Sequence, residues 1–285
     1  MLRAAKLSVI AILLFAIGDA ASAATCDRAC LLDTATQFNA NILAHTVAKL
    51  PLAPNAEIRE NTKAVTLSDS KWSGVTEILS EGVYADPTEE NVIEHVAAKT
   101  VSGQTAYIGT RLKVVNRKIT EVEINFDDRP NVNTKNLVPY DPFFNTIVPP
   151  EERATREQLE RIITSYFQGL TDHQPIEADY DARCDRYHSG NRVTHNSQNG
   201  VENSGDVGCY ESNLGPKPWG PATETRVALV DPERGIVVGY AILYYGNGNR
   251  RMQINEIFKI LDGRIRLIDN IGLMEDGITT SGFTK

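Results

Sequence analysis

Two copies of one short segment restrict the fold of this chain more than any other feature. Residues 258–269 read FKILDGRIRLID, and residues 112–123 read LKVVNRKITEVE, 146 positions earlier. In both copies apolar and polar residues alternate on either side of a turn-forming pair, Asn116-Arg117 or Asp262-Gly263. This pattern is typical of two antiparallel strands joined by a tight turn. We therefore predict a tandem duplication in which each half ends in such a hairpin.

An amphipathic helix precedes the strands in each half. In residues 27–45 apolar side chains recur at steps of three and four residues, and Pro51 forbids a long continuation. The second helix begins at a capping box, Thr155 with Gln158. A helix followed by several short strands packs most simply as one helix laid on an antiparallel sheet. The predicted fold class is therefore α+β, with two such units in tandem.

The first residues have the form of an export signal. Arg3 and Lys6 precede an apolar run at 7–17, and Ala21-Ser22-Ala23 offers a cleavage site. We predict a signal peptide at 1–23 and a secreted or periplasmic product. No later apolar run is long enough to span a membrane, so we expect no membrane association after cleavage. The net charge of −8 gives no reason to expect nucleic acid as a partner.

A change in composition divides the mature chain. Residues 127–153 are rich in proline and lack periodicity, which is typical of a linker. We predict an N-terminal domain at 24–126, the linker at 127–153 and a C-terminal domain at 154–285.

The predicted export makes disulfides the favoured role of the four cysteines, because an oxidising compartment permits disulfides. Four cysteines allow three connectivities. We favour the two local pairs, Cys26 with Cys30 and Cys184 with Cys209. A zinc site is the rival interpretation, but a CxxxC spacing without a nearby histidine matches the usual ligand spacings poorly.

Ionisable residues concentrate between positions 179 and 195, DYDARCDRYHSGNRVTH. Enolisation, dehydration or retro-aldol cleavage needs a base, an acid and a group that stabilises developing negative charge. His188 or Asp181 is a candidate base. His195 or the strand residue Tyr240 is a candidate acid, and Arg226 is a candidate partner for an oxyanion.

Glu256 is a further candidate, because it lies on an otherwise apolar strand face with Phe258 and Ile260. Burial of a lone carboxylate is costly and so invites an explanation. The structural alternative is that Glu256 pairs with Arg226 and that the charges near position 185 are solvated.

Other chemistries fit the sequence less well. His188, His195 and Asp181 could together bind a metal, but a third close histidine is missing, and we expect neither a metal nor a cofactor. No GxSxG elbow, phosphate-binding lysine loop or HExxH motif occurs in the sequence.

Several stretches carry a family resemblance, namely CDRACL, LPLAPNAEIREN, TREQL, RCDRYHSGNRVTHN and EIFKILDGRIRLID. They resemble a secreted tandem family of fungi and bacteria whose domain has no known function. That family is similar to the SnoaL-like branch of the nuclear transport factor 2-like superfamily. The chain departs from the family at Tyr187-His188, where we expect an acidic residue followed by Asn-Gly.

The resemblance implies two cone-shaped units, each a long helix packed on a curved antiparallel sheet. The superfamily includes cofactor-free enzymes as well as proteins that only bind a ligand or dimerise. We therefore predict an exported, cofactor-free lyase or isomerase that uses general acid/base chemistry on a small aromatic or polyketide-like compound, with its site in the second unit. The alternative is a non-catalytic ligand-binding or dimerisation protein, and a homodimer is expected from the resemblance.

Overall fold

The structure is a computed structural model, and it describes residues 25–128, 141–196, 205–246, 250–278, 280 and 282–283. The predicted signal peptide at 1–23 lies outside these ranges. The described residues form two six-stranded mixed sheets, one in each half of the chain.

The first unit consists of one helix and the first sheet. Its elements are α1 Arg28–Leu43, β1 Leu52–Glu60, β2 Lys63–Ala64, β3 Val75–Asp86, β4 Asn91–Thr100, β5 Thr105–Val115 and β6 Lys118–Asp127. The strand order across the sheet is β2-β1-β6-β5-β4-β3.

The second unit repeats this arrangement and adds a short helix. Its elements are α2 Arg156–Asp172, β7 Tyr180–His188, β8 Asn191–Arg192, α3 Cys209–Ser212, β9 Trp219–Asp231, β10 Ile236–Tyr245, β11 Arg250–Leu261 and β12 Arg264–Asp276. The strand order, β8-β7-β12-β11-β10-β9, is that of the first unit. The two sheets therefore have the same topology, which is consistent with the predicted duplication.

Each sheet contains one parallel pair, so the prediction of wholly antiparallel sheets is wrong in that detail. Strand β1 runs parallel to β6, and β7 runs parallel to β12. The cause is the long connection: the strand that follows the helix joins the sheet beside the last strand of its unit, and four further strands lie between the two in sequence.

The turns and the second helix start follow the predicted local chemistry. Asn116 and Arg117 have φ values of 53° and 60°, and Asp262 and Gly263 have 49° and 71°. Positive φ at both central residues is what the tight hairpin turn requires. At the start of α2 the Thr155 side chain accepts from the Gln158 backbone, and the Gln158 side chain accepts from the Thr155 backbone.

Each helix covers one face of its own sheet, which we call the helix face. The α1 side chains Leu31, Phe38 and Ile42 are buried there in the first unit. In the second unit a longer stripe on α2 is buried against β9, β10 and β11, and it contains Leu159, Ile162, Ile163, Tyr166, Phe167 and Leu170. These two clusters are the main apolar cores of the molecule.

The other face of each sheet, which we call the contact face, packs against the other unit. Tyr84 and Ile93 from the first unit share an apolar cluster with Val238 and Ile257 from the second. Around this cluster lie ion pairs between the units, such as Arg28 with Asp231 at 2.7 Å. The two sheets therefore cover each other within one chain.

The segment between β6 and α2 has no strand in its described part. It holds two short 3₁₀ turns, Pro142–Asn145 and Pro150–Glu152. Phe144 from this segment is buried in the cluster between the sheets. The domain limits at 126 and 153 stay a prediction.

Both local disulfides are present. Cys26 bonds Cys30 at the start of α1, and Cys184 on β7 bonds Cys209 on α3. Within the described ranges, no helix combines the length and the apolar character needed to cross a membrane.

Candidate functional site

A transverse row of side chains crosses the helix face of the second sheet. Strand pairing aligns Gly239 with Glu256, Glu256 with Asn270, and Asn270 with His188. Directly paired residues share one face of a sheet, so these residues point towards α2. The row brings a carboxyl, an amide and an imidazole together inside an otherwise apolar unit.

Glu256 is the centre of this polar group and is fully buried. The Tyr166 hydroxyl on α2 donates to Oε1 of Glu256 at 3.0 Å. Nη2 of Arg186 lies 3.7 Å from the same oxygen. The second oxygen, Oε2, has no hydrogen-bond partner among the described residues. We call Glu256, Tyr166, Arg186 and His188 the Glu256 cluster.

The net electrostatic effect of the surroundings is a raised pKa of the Glu256 carboxyl group. Burial raises the pKa of Glu256, while Arg186, the bond from Tyr166 and the nearby His188 act in the opposite direction. Burial also raises the pKa of the Tyr166 phenol, and the adjacent Glu256 adds to that rise. A raised pKa makes the Glu256 carboxylate a stronger base than an ordinary glutamate.

Arg186 reaches the cluster from β7 because it shares the helix face with His188, two residues later. Its side chain is 14% exposed, and its Nη1 donates to Oδ1 of Asn213 at 3.4 Å. The Nε atom is buried without a partner among the described residues. A cation with a free donor is thus held beside the carboxyl group.

The loop after α3 closes one side of the cluster. Asn213 donates to the Tyr180 hydroxyl at 3.3 Å, and Lys217 donates to the backbone of Ser212 at 2.7 Å. The bond between Cys184 and Cys209 ties α3 to β7, two residues before Arg186. This disulfide therefore helps to fix the loop that contacts the arginine.

The structure brings two of the predicted catalytic residues together, His188 and Glu256. It separates both from Arg226 and Tyr240, which lie on the contact face because side chains alternate along a strand. The predicted pairing of Glu256 with Arg226 is therefore wrong: Glu256 faces Tyr166 and Arg186 instead.

Arg226 and Tyr240 belong to a polar network between the units. Arg226 pairs with Glu123 of the first unit and stacks 4.4 Å above the Tyr240 ring. Asn255 donates to the Tyr240 hydroxyl at 2.9 Å, and its Oδ1 lies 3.1 Å from Nε2 of His95. Nδ1 of His95 lies 2.7 Å from Oδ2 of Asp269. The geometry of this network suits holding two units together.

Asp181 and His195 lie apart from the Glu256 cluster. Asp181 accepts from the exposed Arg183, and these bonds lower the pKa of Asp181 to about 2. Nδ1 of His195 lies 2.8 Å from Oδ1 of Asp185, which also accepts from Arg192. Asp181 and Asp185 alternate along β7 with the residues that face α2. Their side chains therefore point to the opposite face of the sheet.

The first unit carries its own buried carboxyl group, displaced by one strand. The row equivalent to that of Glu256 contains Glu94 on β4 paired with Thr110 on β5. Thr110 is the equivalent of Glu256, because it stands 146 positions earlier. Glu94 pairs with Thr110 in the first sheet as Gly239 pairs with Glu256 in the second, so Glu94 is the equivalent of Gly239. Nδ2 of Asn39 donates to Oε2 of Glu94 at 2.8 Å.

Sequence reasoning missed Glu94, Arg186 and Tyr166 as members of polar clusters. Glu94 had the same signal as Glu256, an acid within an apolar strand run. Arg186 stood in the ionisable stretch, but the sequence did not show which face of the strand it occupies. Tyr166 lay in the apolar stripe of α2, where a tyrosine is read as core packing.

The described residues contain no group of three or more His, Cys, Asp or Glu side chains that could hold a metal ion. Asp181, His188 and His195, the three residues weighed as metal ligands, have different partners and do not converge.

Comparisons with known proteins give limited matches. Residues 152–272 match the model of a family described as a domain of unknown function, DUF8021. The match spans α2 and most of the second sheet, and it includes every residue of the Glu256 cluster. The comparison with curated proteins gave no match.

One solved structure with some likeness is a protein from Kribbella flavida DSM 17836 described as a "putative ketosteroid isomerase". The alignment has a TM-score of 0.30 and 14% sequence identity, and it covers 41% of this chain and 78% of that chain. A TM-score of this size is too low to assign a fold or an activity.

Proposed function

We propose that the second unit is a cone-shaped, SnoaL-like acid/base site, and that the protein is a cofactor-free lyase or isomerase for a small aromatic or polyketide-like compound. The observation that carries this proposal is the buried Glu256 carboxyl group, with one oxygen bonded by Tyr166 and the other without a partner among the described residues. A buried carboxyl group without full hydrogen bonding is costly for stability alone.

The cluster supplies the groups that enolisation needs. Ionised Glu256 takes a proton from the carbon next to a carbonyl group and returns it to another carbon or to a leaving group. Arg186 stabilises the negative charge that develops on the carbonyl oxygen, because its cation is held in a mostly buried place. His188 lies at the end of the same row as a second proton carrier.

The first unit is less suited to the same reaction. Thr110 takes the place of Glu256 there and accepts from Nε1 of Trp72 at 2.9 Å. The Trp72 ring is fully buried and packs edge-on against Phe38, with ring centroids 6.2 Å apart. This indole occupies the space beside Thr110, so the larger polar cluster is found in the second unit.

We further propose that the protein is exported and works in the periplasm or outside the cell. Two disulfides support this, because such bonds persist in oxidising compartments. Measurement of the N-terminal residue of the purified native protein tests the proposed cleavage near Ala23.

The test of function is hydrogen exchange in D₂O. The protein is incubated with 2-tetralone or 1-phenyl-1,3-butanedione, and deuterium uptake next to the carbonyl group is followed by mass spectrometry. We expect uptake above the buffer rate and a fall of about 10²–10⁴-fold in Glu256→Gln. Glu177→Gln, which changes an exposed carboxylate, should keep the wild-type rate.

Loss of exchange in Glu256→Gln with an unchanged melting temperature supports the proposal. Equal exchange in wild type and Glu256→Gln rejects the site. A ligand that stays bound through purification, seen by native mass spectrometry, together with the absence of exchange favours the non-catalytic alternative.

A further inference from the structure

The charges around Arg186 are unbalanced. Besides Arg186, the partly buried Lys217 lies close enough for the arginine to lower the pKa of its ammonium group, after burial as the main cause. The carboxyl group that faces Arg186 is Glu256, 3.7 Å away. One carboxyl group carries at most one negative charge, so it does not balance the two cations Arg186 and Lys217.

Nε of Arg186 and Oε2 of Glu256 also lack a hydrogen-bond partner among the described residues, and both can act as donors. Nε of Arg186 is a buried donor, and Oε2 of Glu256 is a donor when that carboxyl group is protonated. A planar group with two acceptor oxygens can accept from both. A neutral ketone offers one acceptor oxygen and leaves the cations unbalanced.

Aromatic side chains flank these polar atoms. Tyr166 packs edge-on against Phe258, with ring centroids 4.7 Å apart, and Tyr180 lies 6.0 Å from the ring of Tyr210. Flat rings pack well against such edges and faces. The surroundings of Arg186 therefore suit a planar molecule better than a branched aliphatic one.

We propose that the Glu256 cluster binds a flat organic anion whose charge is shared by two oxygens, a carboxylate or an enolised 1,3-dicarbonyl, with one oxygen on Nε of Arg186. This rests on the proposed function and names the anion that its site holds while Glu256 carries the proton, after the proton is taken and before it is returned. Binding does not require catalysis, so the inference and the proposed function can fail separately.

The test is calorimetric titration of the purified, disulfide-bonded protein with four probes. Benzoate and 1-naphthoate represent the carboxylates, the enolate of 1,3-cyclohexanedione represents the dicarbonyls, and benzamide is the neutral match for benzoate. We expect at least one anion to bind, with benzamide at least about tenfold weaker than benzoate where benzoate binds. The anion class that binds with the higher affinity shows whether the site prefers a carboxylate or an enolised dicarbonyl.

Two variants locate the anion. Arg186→Gln should weaken binding of the anion by about 10–100-fold, since it removes a charge-assisted bond. Lys217 is more exposed than Arg186, so Lys217→Met should disturb folding less than Arg186→Gln. It should weaken binding of the anion by about threefold or more.

The pH dependence is a further readout. Glu256 is faced by Tyr166 on α2, by Tyr180, Arg186 and His188 on β7 and, through β12, by Asp269 on the contact face, while Lys217 beyond α3 acts on Arg186. Ionisation of Glu256 repels an anion, so wild-type affinity should fall as pH rises, and this fall should be smaller in Glu256→Gln.

Three outcomes overturn the inference: no saturable binding of any anion at about 10 mM, equal affinity for benzoate and benzamide, or anion binding that both Arg186→Gln and Lys217→Met leave unchanged. Anion binding without hydrogen exchange in any substrate rejects the proposed function and keeps the inference. Exchange of neutral ketones without anion binding keeps the proposed function and rejects the inference.

Discussion

Gly109 and Asn255 occupy equivalent positions in the two sheets, 146 residues apart, and they meet across the contact faces. A Cβ atom placed on Gly109 lies 2.4 Å from Nδ2 of Asn255 and 3.2 Å from Nε2 of His95. Asn255 is fully buried and links His95 to Tyr240. The absent side chain of Gly109 is what makes room for this link.

We therefore expect Gly109→Ala to destabilise the protein by about 1–3 kcal/mol, because the added methyl group forces the Asn255 amide away from its partners. Chemical denaturation gives the change in the free energy of unfolding. Gly74→Ala is the matched control, since its Cβ meets only Val101, at an ordinary 3.6 Å. Equal costs for both variants contradict a special role for Gly109.

Tyr166→Phe should slow deuterium exchange by about tenfold, because the bond from Tyr166 orients the Glu256 carboxylate. That bond also lowers the pKa of Glu256. The base must be ionised, so the rise of rate with pH should move to higher pH in the variant. A purely structural tyrosine would leave the pH profile in place. Tyr244→Phe, outside the Glu256 cluster, is the control.

Glu94 should make the protein less stable in alkaline solution. Burial raises its pKa from 4.5 to about 8, against the opposing effect of the Asn39 bond. Below pH 4.5 both states hold the proton and the stability is fully present. Between pH 4.5 and about 8 the unfolded chain has released the proton while the folded one keeps it, so stability falls.

The difference between wild type and Glu94→Gln isolates this effect. Near pH 5 the two should have similar unfolding free energies. Above pH 8 the variant should be more stable, by on the order of 4 kcal/mol. Denaturant unfolding at both pH values checks this. Glu81→Gln, which alters an exposed neighbour, should not reproduce it.

Glu123→Gln should destabilise the protein by roughly 3–5 kcal/mol, since it removes the carboxylate between two buried arginines. Glu123 pairs with Arg111 at 2.9 Å and also with Arg226 of the second unit. Glu121→Gln is the control, because Glu121 is 32% exposed and, among the described residues, forms an ion pair with Arg111 only. Similar melting temperatures for the two variants argue against this role for Glu123.

The two disulfides should differ in their contributions. Cys184 and Cys209 are separated by 25 positions and Cys26 and Cys30 by 4. Chain-entropy arguments then give roughly 3.5 kcal/mol for the longer loop and roughly 2 kcal/mol for the shorter one. Unfolding of the two double alanine variants measures this, and a larger loss for the Cys26–Cys30 variant contradicts the ranking.

Local sequence patterns predicted the helices and the hairpins, because turn chemistry and periodicity are local properties. Asn116-Arg117 and the Thr155 capping box are examples in which nearby residues determine the backbone. The parallel pairing of β1 with β6 was missed, since it joins residues more than sixty positions apart. No short-range pattern records such a contact.

The candidate site was only half predictable for a similar reason. Glu256 stood out because an acid on an apolar strand is costly, and His188 stood in a stretch rich in ionisable groups. Whether Arg226 or Arg186 faces Glu256 depends on the strand register and on which sheet face meets α2. That information comes from long-range packing, as does the role of Glu123 opposite Arg226.

The position of the buried acid differs between the two halves: Glu94 lies on β4, and Glu256 lies on the equivalent of β5. In an assembly of two identical chains every substitution appears twice, and a change that helps one copy is imposed on the other. Two units in one polypeptide are free of that constraint. One unit can then place an indole beside its row of polar residues while the other keeps ionisable groups there, and a single mutation can alter either one alone.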